Sequence, residues 1–104
     1  MAGSTVRAVL TMTVRPESAD AFEKEWAVVA TWAQRQEGCL RQALCRDTGS
    51  EEVTYVITSD WADRDTYKRF ETSERQDGIT AGLRGLRTSV RMEVLDIIDH
   101  RGES

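Results

Sequence analysis

The 104-residue chain has room for one core, and a domain this small buries only about two-thirds of the surface its unfolded chain exposes, so association with a second copy is expected. Its net charge of −4 is spread without an acidic or basic block, which gives phosphate no binding patch and argues against a nucleic-acid partner. No apolar run approaches the ~20 residues of a membrane span, and MAGSTVRAV lacks the apolar segment of a secretory signal; the expectation is a cytoplasmic protein with no membrane role and a small-molecule or protein partner.

The first element is a strand, Val6 to Val14, with Val6, Ala8, Leu10, Met12 and Val14 on one face and Arg7, Val9, Thr11 and Thr13 on the other. Pro16 ends it, because proline has no amide hydrogen for the ladder, and Ser18 is the expected cap of a helix over residues 18–36. Phe22, Trp26, Val29, Ala30 and Ala33 form its buried stripe, with Trp32 at the edge and Gly38 as the stop. The second strand, Cys39 to Asp47, carries both cysteines. At ~3.3 Å per residue it holds them roughly 20 Å apart, too far to pair, as suits small half-buried residues in a reducing compartment.

After a hairpin loop over residues 48–52, the third strand, Val53 to Trp61, places Val53, Tyr55, Ile57, Ser59 and Trp61 on one face. Thr54, Val56, Thr58 and Asp60 take the other. Asp63 is the expected cap of a helix with Tyr67, Phe70 and Glu74 or its neighbours inward, and Gly78 is expected to interrupt it. The following segment offers Ile79, Leu83 and Leu86, but Gly82 and Gly85 each cost about 1 kcal/mol relative to alanine, so a short or mobile helix is expected. The last strand is predicted over residues 89–98, with a frayed tail.

This order, β-α-β-β-α-β, is the ferredoxin-like arrangement: an α+β fold with a four-stranded antiparallel sheet and helices on one face, a single domain over residues 1–104 with its core at about 6–99. Val9, Thr11, Thr13, Thr54, Val56 and Thr58 then lie on the open face, too apolar for a fully wet surface and too hydroxylated for a core. A homodimer covering that face is the expectation.

Little in the chain can hold a cofactor. Its one histidine, His100, lies in the tail, no spacing suits zinc or iron, and no glycine-rich loop follows a strand, so no metal and no nucleotide or flavin cofactor is expected. The same scarcity disfavours Ser/His/Asp and Cys/His catalysis.

The tryptophan that ends the third strand, followed by a polar cap and an aromatic-bearing helix in DWADRDTYKRF, resembles the antibiotic biosynthesis monooxygenase domain over roughly residues 6 to 99. The spacing from Trp61 to Tyr67 is similar to that in anthrone oxygenases of aromatic polyketide pathways. The resemblance implies subunits that dimerise through their sheets into an α/β barrel, each with its own cavity between helices and sheet. One branch of the family degrades heme with a histidine on the helix after the tryptophan and an asparagine on strand one. YKRFETSER has no histidine and the first strand no asparagine, so heme chemistry is not implied. Anthrone oxygenases also carry an asparagine on strand three where this chain has Ile57.

The activity implied is cofactor-independent oxidation of an anthrone-type polyketide to a quinone by O₂, the electron-rich substrate anion reducing oxygen itself. Trp61 and Tyr67 are the expected hydrogen-bond donors and Arg84 the cationic partner of the anion, with Trp26, Tyr55 and Phe70 walling a slot for a flat ring system. Each also has a plainer reading: Trp61 as packing, Tyr55 and Phe70 as core, Arg84 as a solvated side chain. No residue is an evident general base. A polyketide cyclase or isomerase on the same fold, and a non-catalytic small-molecule-binding or stress-response module with a filled interior, are the alternatives.

Overall fold

The computed structural model describes residues 5–102 apart from 48 and 50, and of residues 74–77 the backbone alone. The elements are β1 (Val6–Val14), a 3-10 turn (Pro16–Ser18), α1 (Ala19–Ala33), β2 (Cys39–Asp47), β3 (Val53–Trp61), α2 (Arg64–Glu71), α3 (Glu74–Leu86) and β4 (Arg87–Asp96). The strands form one antiparallel sheet in the order β2-β3-β1-β4, the ferredoxin-like topology, with α2 and α3 in sequence where one interrupted helix was expected.

Alternation decides the core. Val6, Ala8, Met12 and Val14 of β1 and Val53, Tyr55, Ile57 and Trp61 of β3 are all buried on the helix side. Phe22 and Val29 of α1 and Leu83 of α3 pack onto the Met12, Tyr55 and Ile57 end, while Val6, Ala8, Trp61 and Tyr67 form a second cluster at the other end. The open face carries Val9, Thr11, Thr13, Thr54, Val56 and Thr58, all half-buried within the single chain. It also holds a buried carboxylate: Asp60 accepts from Arg7 Nε and Nη2 at 2.7 and 3.0 Å, with Arg41 Nε at 3.6 Å. That forked pair satisfies a charge which could not be buried alone.

Several boundaries differ from expectation for local reasons. Ser18 makes no side-chain cap; it closes the 3-10 turn, its amide donating to Arg15 O at 2.9 Å, and Pro16 presets that turn. α1 ends at Ala33, after which Arg35 and Gln36 donate to Trp32 and Ala33, a tighter i to i−3 winding that carries the chain to the expected end at Gln36. Gly38 has φ +88, and a Cβ there would sit 2.6 Å from Thr66 Cβ, so only glycine fits this crossing under α2.

The break after α2 falls at Thr72 and Ser73, not at Gly78. Their hydroxyls donate to Lys68 O and Phe70 O, competing with the helix ladder. Gly78 lies within a continuous 13-residue α3, with open space where its Cβ would be; Gly82 faces the Glu25 side chain of α1. The expected inward position of Glu74 and part of the 48–52 loop lie outside what the structure describes. β4 starts at Arg87 rather than at residue 89, because a register shift at Thr13/Val14 lets Val14 pair with Arg87, and it ends at Asp96 rather than at residue 98. Among the described residues no helix is long and apolar enough to cross a membrane.

Candidate functional site

β3 builds the floor of the site. Its helix-side residues Ile57, Ser59 and Trp61 line one wall of a cavity of about 140 Å³ between sheet and helices, continued by Leu10 and Met12 of β1. α1 contributes Trp26, α2 contributes Phe70, and α3 contributes Thr80, Leu83 and Arg84 from one face, at i, i+3 and i+4. Arg87, at the start of β4, joins Arg84 in the lining. The interior is apolar and aromatic, its size comparable to a cavity that admits a benzene ring, and among the described residues its charged lining is these two arginines.

Trp61 is fully buried on the helix side, as its place in the alternation predicts, and its ring anchors an aromatic group. Phe70 lies 4.7 Å away and tilted, Tyr67 meets the indole edge-on at 5.7 Å, and Trp32 packs on Phe70 at 5.1 Å. The indole Nε1 donates to Ser59 Oγ at 2.9 Å. Its one proton is therefore engaged within the protein, not offered to a ligand.

The α2 helix that carries Phe70 and Tyr67 is set by Asp63. Asp63 Oδ1 accepts from the Thr66 amide at 2.8 Å while Thr66 Oγ1 reaches back to the Asp63 amide at 3.4 Å, a reciprocal capping box. This fixes Phe70 and Tyr67, one turn apart on the same face of α2, against the indole.

Of the six residues expected at the site, Trp61, Trp26, Phe70 and Arg84 meet at the cavity and two do not. The Tyr67 hydroxyl points away, donating towards Glu71 Oε2 and Met92 Sδ, each at 3.3 Å, in a hollow it shares with Arg64, Lys68 and Val94. Tyr55 belongs to the core at the far end of β3: its ring stacks on Phe22 at 4.5 Å and its hydroxyl donates to Glu23 Oε2 at 2.6 Å, a carboxylate also held by Arg46 at 2.9 Å. Burial, followed by the neighbouring Glu23, pushes the Tyr55 hydroxyl up to about 12; burial and then Glu71 push Tyr67 up as well. Both stay neutral phenols at physiological pH.

Sequence reasoning passed over Ser59, Gln42, Thr80 and Arg87. Ser59 was legible as a polar residue between Ile57 and Trp61 on the buried face of β3. The other three depend on where α3, β2 and the start of β4 lie relative to the cavity. Gln42 Nε2 donates to Ala30 O at 3.0 Å and Arg84 Nη1 to Thr80 Oγ1 at 2.8 Å.

The sequence model of the family described as antibiotic biosynthesis monooxygenase matches residues 5–79, well over half of the chain. The chain belongs to this family. Among solved structures, a point mutant of SnoaB, a cofactor-independent oxygenase from Streptomyces nogalater, superposes with a TM-score of 0.83 at 25% identity, over 97% of this chain and 100% of that one. A further SnoaB structure gives 0.80 at 24% identity over 97% and 100%. A candidate antibiotic biosynthesis monooxygenase from Caulobacter crescentus CB15 gives 0.82 at 24% identity over 93% and 92%. No curated protein matches the chain in sequence. In this family member the matched segment supplies the floor and aromatic walls of the cavity, while Thr80, Leu83, Arg84 and Arg87 lie beyond it.

Proposed function

We propose that the protein is a cofactor-independent monooxygenase that oxidises an anthrone-type aromatic polyketide to its quinone with O₂, consuming one O₂ and releasing one water per CH₂ converted to C=O. The observation that carries this reading is the apolar cavity walled by Trp26, Trp61 and Phe70 with Arg84 and Arg87 in its lining. One aromatic ring of the substrate fills the apolar end and the rest extends towards the arginines. Loss of a CH₂ proton leaves a delocalised anion, and the guanidinium groups of the exposed Arg84 and the half-buried Arg87 favour that anion over the neutral ketone. Among the described lining residues there is no carboxylate or imidazole, so proton removal falls to water or to a second ionised group of the substrate. The open cavity beside Trp61 supports an enzyme over a module with a filled interior, and the SnoaB likeness supports oxygenation over cyclisation.

The test uses purified protein and dithranol, a model anthrone, followed by quinone absorbance with and without air. Acceleration over the spontaneous rate that requires O₂ supports the proposal; acceleration that persists anaerobically favours the cyclase or isomerase, and no acceleration with several anthrones favours a binding protein. The reading includes a symmetric dimer through the open sheet face. Val56→Glu, which sets a charge amid Val9, Thr11 and Thr58, is expected to give a monomer mass by light scattering where the native protein gives a dimer.

A further inference from the structure

Resting on the oxygenase reading, we propose that Ser59 is the residue that hydrogen-bonds the reacting oxygen of the substrate, and that Trp61 is its positioning residue. The polarity of the Trp61–Ser59 contact is fixed by chemistry. An indole N–H can only donate, so Ser59 Oγ must accept at 2.9 Å, and the hydroxyl proton is left to be donated elsewhere. Among the described residues no acceptor for that proton is recorded, and the Ser59 side chain lines the cavity.

The indole itself cannot serve, since it is wholly buried and its one proton is already engaged. The other neutral side-chain donors in the lining stand off that floor: Gln42 of β2 gives one of its two amide protons to Ala30 O, and Thr80 of α3 pairs with Arg84. A hydroxyl that accepts a hydrogen bond is polarised into a better donor, so the indole both aims Ser59 and strengthens it. Alternation places Ile57, Ser59 and Trp61 in a row along the cavity floor, with ~7 Å from each to the next. A flat ring lying against Ile57 and Trp61 therefore brings its oxygen to the one hydroxyl between them. When the CH₂ proton leaves, charge gathers on the ring carbonyl oxygen, and Ser59 donates to that oxygen more strongly than it did to the neutral ketone. That difference lowers the barrier.

The experiment compares the native protein with Ser59→Ala, Ser59→Thr, Trp61→Phe and the Ser59→Ala/Trp61→Phe pair. Two readouts are taken: kcat and KM for dithranol in air, and the pH at which bound 1,8-dihydroxyanthraquinone ionises, read from its visible spectrum. Ser59→Ala is expected to lower kcat by about a hundredfold with KM little changed and to move the bound quinone's ionisation to higher pH. Ser59→Thr keeps the hydroxyl and most of both signals. Trp61→Phe loses less than Ser59→Ala in kcat, and adds nothing further once Ser59 is alanine. The inference is overturned if Ser59→Ala matches the native protein in both readouts, if the two substitutions add in full, or if the quinone does not bind. Should the native protein bind the quinone yet not oxidise dithranol, the oxygenase reading fails. The ionisation shift then decides alone: a difference between native protein and Ser59→Ala upholds Ser59 as the oxygen donor, and none removes it.

Discussion

Tyr55 and Trp61 stand on the same face of the same strand, three alternations apart, and both side chains are completely buried. One is a structural post and the other the floor of a cavity. The difference comes from above the sheet. Over Tyr55 the first turns of α1 bring Phe22 into a stack at 4.5 Å and 19° and Glu23 onto the hydroxyl, which covers the ring. Over Trp61 the cover is the eight-residue α2, too short to close the layer, and the gap between Trp26, Phe70 and Leu83 stays open. Strand periodicity fixes which face an aromatic side chain occupies; the length and placement of the covering helix decide whether it meets packing or space.

The widest separation between the two ends is expected from truncation. Tyr55→Ala should cost about 3–5 kcal/mol of stability in urea unfolding, because stacking and fill are lost together, while turnover per folded molecule is retained. A variant that folds normally but fails to turn over would reverse the assignment of the two ends.

Alkaline titration comes next. Tyr55 and Tyr67 are the only tyrosines, and both are raised above the ordinary value of 10.0. The stability they contribute is full below pH 10 and is lost as pH climbs towards about 12, since the unfolded chain then sheds phenolic protons that the native chain keeps. Native protein should show no tyrosinate absorbance step near pH 10, and the urea-unfolded chain should show one for both residues. A native step at 10 would mean that at least one hydroxyl is open to water.

At the Trp61 end, Gly38→Ala is expected to cost about 2–3 kcal/mol in a thermal melt, combining a left-handed backbone with a clash against Thr66 in the α2 cap. Cavity binding should weaken with it, since α2 carries Phe70; an unchanged melting temperature would show that the crossing has slack. The smallest effect belongs to Trp26→Phe. This half-buried ring should change stability by less than about 1 kcal/mol while weakening 1,8-dihydroxyanthraquinone binding about threefold to tenfold, measured by fluorescence quenching.

β1 and β3 are readable residue for residue because each alternates between turn signals; β2 has the expected bounds although its burial does not alternate and its register shifts between Cys39 and Arg41, and Asp63 caps α2 as its position before an aromatic-bearing stripe predicts. What was not readable depended on partners distant in sequence. Gly78 is tolerated because it sits on the exposed side of α3, where the loss relative to alanine is only about 1 kcal/mol, whereas two hydroxyl residues end α2 through bonds that propensity does not register. The start of β4 follows a register shift against β1. At the site, Tyr55 and Tyr67 have the right chemistry and the wrong surroundings. Ser59 was legible by face but not by role, since alternation puts it between Ile57 and Trp61 without showing that the indole N–H donates to it.

The α3 side of the cavity comes from a single short face, Thr80, Leu83 and Arg84, and of these only Leu83 is buried in the core. Floor and rim are thus encoded in separate stretches of the chain, and within the rim Arg84 Nη1 holds Thr80 Oγ1. Descendants of this sequence could reshape the cavity mouth by drift at Thr80, with the sheet, its indole and Arg84 left untouched.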